Sequence, residues 1–185
     1  MTRPNWFVAL PVRAAELPTD LLDSLPAGIR RFRPEDLHVT VAFLGPVTET
    51  TALEAWAVGD WSREPPLITH TGARAGFGNP RRPSAYGLDL GDGDDPVAAF
   101  LRRWRDPLLA AAGRPPETRA VRPHLTLGRP PRRPGEAIHA RARDWIAVEQ
   151  PPVPLHLDRI ALYTRAPQRG GRRFTRVRES ALGSG

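Results

Sequence analysis

The sequence predicts a single domain of mixed strands and helices, built as two similar lobes that share a cleft. Three observations predict it. At 185 residues the chain has the length of one domain and enough to bury a real core. Its apolar residues alternate with period two in some segments and with helical period in others. The series strand, helix, motif strand, helix, strand then runs through twice. Each motif strand carries the pattern His-x-Thr, as LHVTVAF over Leu37–Phe43 and as PHLTLGR over Pro123–Arg129. The two histidines stand nearly half a chain apart, as an old duplication with a pseudo-twofold axis would leave them.

Trp6–Val12 reads as the first strand, ending at Pro11, and Pro18–Leu25 as a short helix with Leu21, Leu22 and Leu25 on one side, stopped by Pro26 and Gly28. The first motif strand closes at Gly45-Pro46. Thr51-Ala-Leu-Glu54 fits a capping box that opens, or lies just inside, a helix burying Leu53 and Trp56. A strand near Pro66–Phe77, a loop over Gly76–Pro83 and a strand over Ser84–Leu90 follow. Asp94-Asp95-Pro96 is a helix start, with carboxylates near the positive end of the dipole and proline in the first helical position. Val97, Phe100, Leu101, Trp104 and Leu108 form its apolar side, Gly113 closes it, and Pro107 is expected to kink or shorten it. After the second motif strand, Pro134–Ile146 is a helix with Ile138, Ala142 and Trp145 inward. Strands over Val153–Tyr163 and Arg173–Arg178 flank a turn around Gln168-Arg169-Gly170-Gly171. The domain is assigned to residues 1–180, with 181–185 as a tail.

Composition narrows the function classes. Cysteine is absent, which excludes disulfides, thiolate catalysis and cysteine-based metal sites. The net charge of +7 comes with 27 basic residues that are all arginine. With abundant Ala, Pro and Gly beside it, that bias reflects coding composition as readily as affinity for nucleic acid. The 22 prolines sit at segment edges and read as rigid loops. The opening MTRPNWFVALPV has too short an apolar stretch for export or membrane spanning, so a cytoplasmic monomer with no membrane partner is expected.

The chemistry lies in the paired motifs. Side chains on a strand alternate, so His38 and Thr40 share one face, and Leu37, Val39, Val41 and Phe43 take the core-facing side. His124 and Thr126 stand likewise opposite Leu125 and Leu127. Two such strands across a cleft supply two proton-transfer groups and two hydroxyl donors around one anion, which is what cleavage of a phosphate ester needs without a metal. A zinc site would want a third ligand at close spacing, and neither motif has one. His70, His139 and His156 have no partner pattern; Trp56, Trp104 and Trp145 fall at core spacing. No Gly-x-Ser-x-Gly elbow appears. The acidic run Gly91–Asp95 reads as a turn into a helix cap rather than a calcium loop.

These residues resemble the 2H phosphoesterase superfamily, and within it the RNA 2′,3′-cyclic phosphodiesterases, also called the 2′–5′ RNA ligase family. FVALPV, LHVTVAFLG, GFGNPRRPSAYGL, PHLTLGR and IALYTRAPQRGGRRFTRV stand in that family's order. The resemblance implies an α+β bilobal fold, with antiparallel sheets lining a central cleft and helices outside, and no cofactor or metal. It implies opening of a 2′,3′-cyclic phosphate at an RNA 3′ end to a 2′-phosphate, with weak reverse 2′–5′ ligation. A small cyclic nucleotide such as ADP-ribose cyclic phosphate is the alternative substrate, and a non-catalytic nucleotide- or RNA-binding module the alternative class. His38 and His124 would be the acid–base pair, one neutral and one protonated, and Thr40 and Thr126 would hold the phosphate. Arg129 matches an arginine that follows the second family motif, and Phe43 the aromatic of the first. By strict alternation both fall on the face opposite the histidines, with Gly128 a place for the strand to break and return Arg129 to the cleft.

Overall fold

Nine strands make one antiparallel sheet, described by a computed structural model over residues 3–91, 95–166 and 172–183. They are β1 (Asn5–Pro11), β2 (Arg30–Arg31), β3 (His38–Pro46), β4 (Leu67–Asn79), β5 (Arg82–Leu90), β6 (His124–Arg129), β7 (Pro154–Leu157), β8 (Arg159–Arg165) and β9 (Phe174–Ala181). The helices are α1 (Glu49–Trp56), α2 (Pro96–Ala111) and α3 (Glu136–Ile146). The order across the sheet is β7-β4-β5-β6-β3-β1-β8-β9, with β2 added against β6. The fold is therefore α+β, as expected. Among the described residues no helix is long and apolar enough to cross a membrane.

The sheet is two four-stranded halves joined at β3 and β6, where the ladder consists of the pair Val39–Leu125. The halves are not successive stretches of chain. The first, β3-β1-β8-β9, takes its two outer strands from the end of the sequence, because β1 has one edge occupied by β3 and leaves the other for β8. The second, β6-β5-β4-β7, takes β4 from the first half of the sequence. The two lobes are interlaced, a correction to the picture of two consecutive repeats.

One face of the sheet is the core. Val8, Leu10, Val39, Val41, Leu44, Leu88, Leu125, Leu127 and Ile160 from the strands meet Ala52, Phe100, Leu101, Leu108 and Trp145 from the helices. Each leucine withdrawn from water there contributes about 1.5–3 kcal/mol. The opposite face carries two small apolar clusters, one per half: Phe7, Ala9, Ala161 and Tyr163, and Ala75, Phe77 and Ala85.

Several expected elements differ. Pro18–Leu25 folds as consecutive turns, with Leu21 N–H on the Pro18 carbonyl and Ser24 N–H on that of Asp20. Bracketed by Pro18 and Pro26, the segment is too short to propagate a helix, yet Leu21 and Leu25 are still buried. Thr51–Glu54 lies inside α1, whose cap is Thr48, its hydroxyl accepting the Thr51 N–H at 3.1 Å. Ala52 and Ala55, not Leu53 and Trp56, are its fully buried residues. Asp95 caps α2 by accepting the Val97 N–H at 2.8 Å, while Asp94 lies outside the described residues. The helix runs through Pro107 to Ala111, and Pro107 lies on its exposed side. The Gly76–Pro83 loop is instead a continuation of β4 and β5 to a tight turn at Pro80-Arg81. Val153–Tyr163 breaks at Asp158 into β7 and β8. Strand β9 reaches Ala181, and Leu182 is buried. The turn at Gln168–Gly171 lies outside the described residues.

Candidate active site

His38 and His124 are each the first residue of their strand, and each ring is fixed the same way. The Nδ1 of His38 lies 2.6 Å from the Asp36 carbonyl oxygen, and that of His124 lies 2.8 Å from the Arg122 carbonyl oxygen. A carbonyl only accepts, so in both rings Nδ1 is the protonated donor and Nε2 is left as the reactive nitrogen. Neither Nε2 has a hydrogen-bond partner among the described residues. Each ring also rests on a phenylalanine of its own half-sheet: Phe7 at 4.9 Å from His38, and Phe77 stacked at 4.3 Å on His124.

The register at the join brings the motifs together. With Val39 opposite Leu125, the antiparallel register sets His38 opposite Thr126 and Thr40 opposite His124. Thr40 is half-buried and Thr126 buried, and neither hydroxyl is engaged by another described residue. This register sets the two imidazoles and the two hydroxyls alternately about the strand junction.

Phe43 and Arg129 also reach this face, through a device that alternation does not foresee. In β3, Ala9 pairs with Thr40 and Val8 with Ala42, leaving Val41 unpartnered in a bulge. Parity inverts beyond it, so Phe43 pairs with Phe7 on the histidine face and is 53 % exposed, while Leu44 turns into the core. In β6, Gly87 pairs with Thr126 and Tyr86 with Gly128, leaving Leu127 as the bulged residue. Tyr86 is a core residue, so Gly128 faces the core and Arg129 the cleft. Each bulge falls three residues after its histidine, and Phe43 and Arg129 occupy equivalent places. The expectation that these two side chains oppose the histidines is corrected.

The surroundings set the charge state. Burial, the largest influence, drives the His38 pKa down to about 4; its bond to the Asp36 carbonyl opposes this, and the Arg129 charge adds to it. Burial likewise lowers His124, again against its backbone bond, with Arg122 and Arg129 lowering and Asp89 raising it. Both rings are neutral in the free protein at neutral pH, and Arg129 bears on both.

Two carboxylates escaped the reading of the sequence. Asp36 is fully buried and accepts the Arg173 N–H at 2.8 Å and the Phe174 N–H at 3.1 Å. It thereby pins the start of β9 over the site, where Phe174 meets the His38 ring edge-on at 5.3 Å. Asp89, the strand partner of His124, grips Arg122 at 2.8 and 2.9 Å and so holds the residue whose carbonyl orients the imidazole. An acid two residues before the first motif was the available signal for Asp36; nothing short of the strand register marks Asp89. Among the described residues no three His, Cys, Asp or Glu side chains gather to hold a metal. His70 and His156 are exposed on β4 and β7, and His139 is half-buried on α3.

Residues 93–171 match the family model of LigT-like phosphoesterases. That stretch holds the second motif and not the first. Over its whole length the chain superposes on Escherichia coli LigT complexed with NADP+, with a TM-score of 0.64, 21% identity and 100% of each chain covered. The same bacterium's LigT complexed with 3′-AMP gives a TM-score of 0.65 at 21% identity, covering 97% of this chain and 99% of that one. A protein of Thermus thermophilus gives 0.67 at 22% identity, covering 97% and 98%. No curated protein matches the chain. The resemblance drawn from the paired motifs is borne out in family match and in fold.

Proposed function

We propose that this chain, a LigT-like phosphoesterase by its match over residues 93–171 and LigT-like in fold throughout, hydrolyses 2′,3′-cyclic phosphate ends of RNA to 2′-phosphates without a metal. The observation that carries the reading is the arrangement of two Nε2 atoms and two unengaged threonine hydroxyls at one strand junction, with Arg129 bearing on both rings. E. coli LigT is known in complex with NADP+ and with 3′-AMP, which fits a nucleotide-bearing substrate.

The chemistry follows from the groups present. One neutral imidazole takes a proton from water at Nε2 as the oxygen attacks phosphorus. The bond from phosphorus to the 3′ oxygen breaks, and the other imidazole, protonated, delivers its Nε2 proton to that oxygen. The phosphate stays on the 2′ oxygen. Charge that builds on the non-bridging oxygens is met by the hydroxyls of Thr40 and Thr126 and the guanidinium of Arg129. The free protein holds both rings neutral, so the phosphate anion must favour the uptake of the one proton the cycle requires. With a 5′-hydroxyl in place of water as the attacking group, the same two proton transfers form a P–O5′ bond, break the P–O3′ bond and leave a 2′–5′ diester, which is the weak ligation that the resemblance implies.

The test is an oligoribonucleotide ending in a 2′,3′-cyclic phosphate, incubated in excess EDTA and followed by phosphorus NMR. A 2′-phosphate product is expected. A 3′-phosphate product, or turnover that appears only when a divalent ion is restored, overturns the proposal.

A further inference from the structure

We propose that Arg30, Arg129 and Arg173 form a site for a second phosphoryl group beside the imidazole pair. The preferred substrate then carries a phosphate on the 5′ oxygen of the same nucleotide whose 2′,3′-cyclic phosphate is opened. The inference rests on the reaction proposed above and names its substrate more closely.

Three separate segments deliver these guanidinium groups. Arg30 and Arg129 are Cα partners across β2 and β6, so they share a face, and the bulge at Leu127 makes it the cleft face. Arg173 comes from the other half of the sheet, immediately before β9. Its guanidinium lies 5.1 Å over the Phe32 ring, which in turn lies 6.3 Å from His38. The three charges feel one another: burial and then the Arg30 charge lower the Arg129 pKa, and burial followed by the Arg30 and Arg129 charges lowers that of Arg173.

Asp36 offsets part of the charge at Arg173, raising its pKa against the arginines. No carboxylate among the described residues forms an ion pair with any of the three; Arg30 makes one long contact, 3.4 Å, to the Pro130 carbonyl. The nearby buried acid, Asp36, is committed to the backbone N–H groups of Arg173 and Phe174. Like charges gathered in a partly desolvated place cost free energy that an anion recovers, and the planar guanidinium fork matches phosphate oxygens. A cyclic phosphate carries a single negative charge and is already met by two hydroxyls and Arg129. The surplus is Arg30 and Arg173, and the phosphoryl group on the 5′ oxygen is the next anion that the same nucleotide offers. That phosphoryl group is either a terminal phosphate or the internal diester of a longer chain.

Three substrates separate these cases: adenosine 2′,3′-cyclic phosphate, its 5′-phosphorylated form, and the dinucleotide ApA ending in a 2′,3′-cyclic phosphate. We expect kcat/KM to favour both phosphorylated substrates by about 10-fold or more, the usual size of a charge-assisted contact. Preference for the first alone assigns the site to a terminal phosphate, and equal preference assigns it to either source. In Arg30→Ala and Arg173→Ala the preference ratio should collapse toward one, while Arg63→Ala, an exposed arginine elsewhere, should preserve it. Equal kcat/KM on all three substrates in the unaltered protein overturns the subsite, as does a loss in the variants that is uniform across substrates. If none of the three is turned over, the hydrolysis reading fails, and the subsite is then judged by calorimetric binding of adenosine 2′-phosphate against adenosine 2′,5′-bisphosphate. Tighter binding of the bisphosphate, lost in Arg30→Ala, upholds it; equal binding overturns it.

Discussion

Val39 faces Leu125 across the one strand pairing that joins the two half-sheets, and both side chains are buried in the core. The residues on either side of each are the histidine and the threonine of its motif. A packing contact on one face of the sheet therefore fixes the distance between the reactive groups on the other. Val39 and Leu125 hold equivalent places in the two motifs, and each motif sits at the start of its strand; beyond the junction, β3 and β6 part to serve different halves. The bulges three residues on from each histidine follow the same symmetry and turn Phe43 and Arg129 toward the cleft.

If the imidazoles act as one acid–base unit, His38→Ala and His124→Ala should each lower kcat on a 2′,3′-cyclic phosphate substrate by about 10²-fold or more. The double variant should be little worse than the weaker single, because removing either partner already disables the relay. Thr40→Ala and Thr126→Ala should cost less, about 1.5–3 kcal/mol of transition-state stabilisation for a hydrogen bond to a charged group. Steady-state kinetics on all five proteins decides this. Full turnover after loss of either histidine would end the paired mechanism.

The pH profile of kcat/KM should be bell-shaped, because the working form has one proton shared between two interacting rings. Both rings of the free protein titrate below the ordinary histidine value of 6.5, with His38 down at about 4. The maximum should accordingly lie on the acid side of 6.5. A maximum on its alkaline side would show that the rings are not desolvated as the structure has them.

Much of the site was legible in the sequence because strand alternation is strict over short distances. Two residues apart, His38 and Thr40 keep the same face whatever follows, and so do His124 and Thr126. Five residues from the histidine the same rule failed, since Val41 and Leu127 each insert one extra residue and a single insertion inverts every later position. Bulges leave little mark in composition; Gly128 is a hint, and β3 carries none. The interlacing of the lobes was likewise hidden, because the order of elements along the chain is repetitive while the choice of sheet edge by β8 is settled by which edge of β1 is vacant. Asp36 and Asp89 went unread for a related reason: what makes them matter is a backbone N–H group more than a hundred residues away in one case and a cross-strand neighbour in the other.

The bulge in β3 makes Phe43 and Phe7 neighbours with different duties. Phe7 is buried beneath His38 and packs parallel to Tyr163 at 4.9 Å, so Phe7→Ala should lower stability by about 3–5 kcal/mol. Phe43, beside it on the open face, is 53 % exposed; Phe43→Ala should leave the denaturation midpoint nearly unchanged and raise KM for a nucleotide substrate. Denaturant titration and kinetics on both variants test the contrast. A large stability loss in Phe43→Ala would place that ring in the core and undo the parity inversion.

The burial of His38 should also be visible in stability without any substrate. Its ring titrates at about 4 in the folded protein and near 6.5 when unfolded, so between these values the unfolded chain binds more protons. The contribution is fully present above pH 6.5 and is lost as the pH falls toward 4, because protonating the ring then requires leaving its desolvated seat between Phe7, Tyr163 and Phe174. A shift of that size corresponds to about 3 kcal/mol. Carboxylates titrate over part of the same range, so the measurement is a difference: urea unfolding of the native sequence and of His38→Asn, each at pH 7 and at pH 4. The native protein should lose more stability over that interval than the variant does. Equal losses in the two proteins would mean that His38 takes up its proton in place, as a solvated ring would.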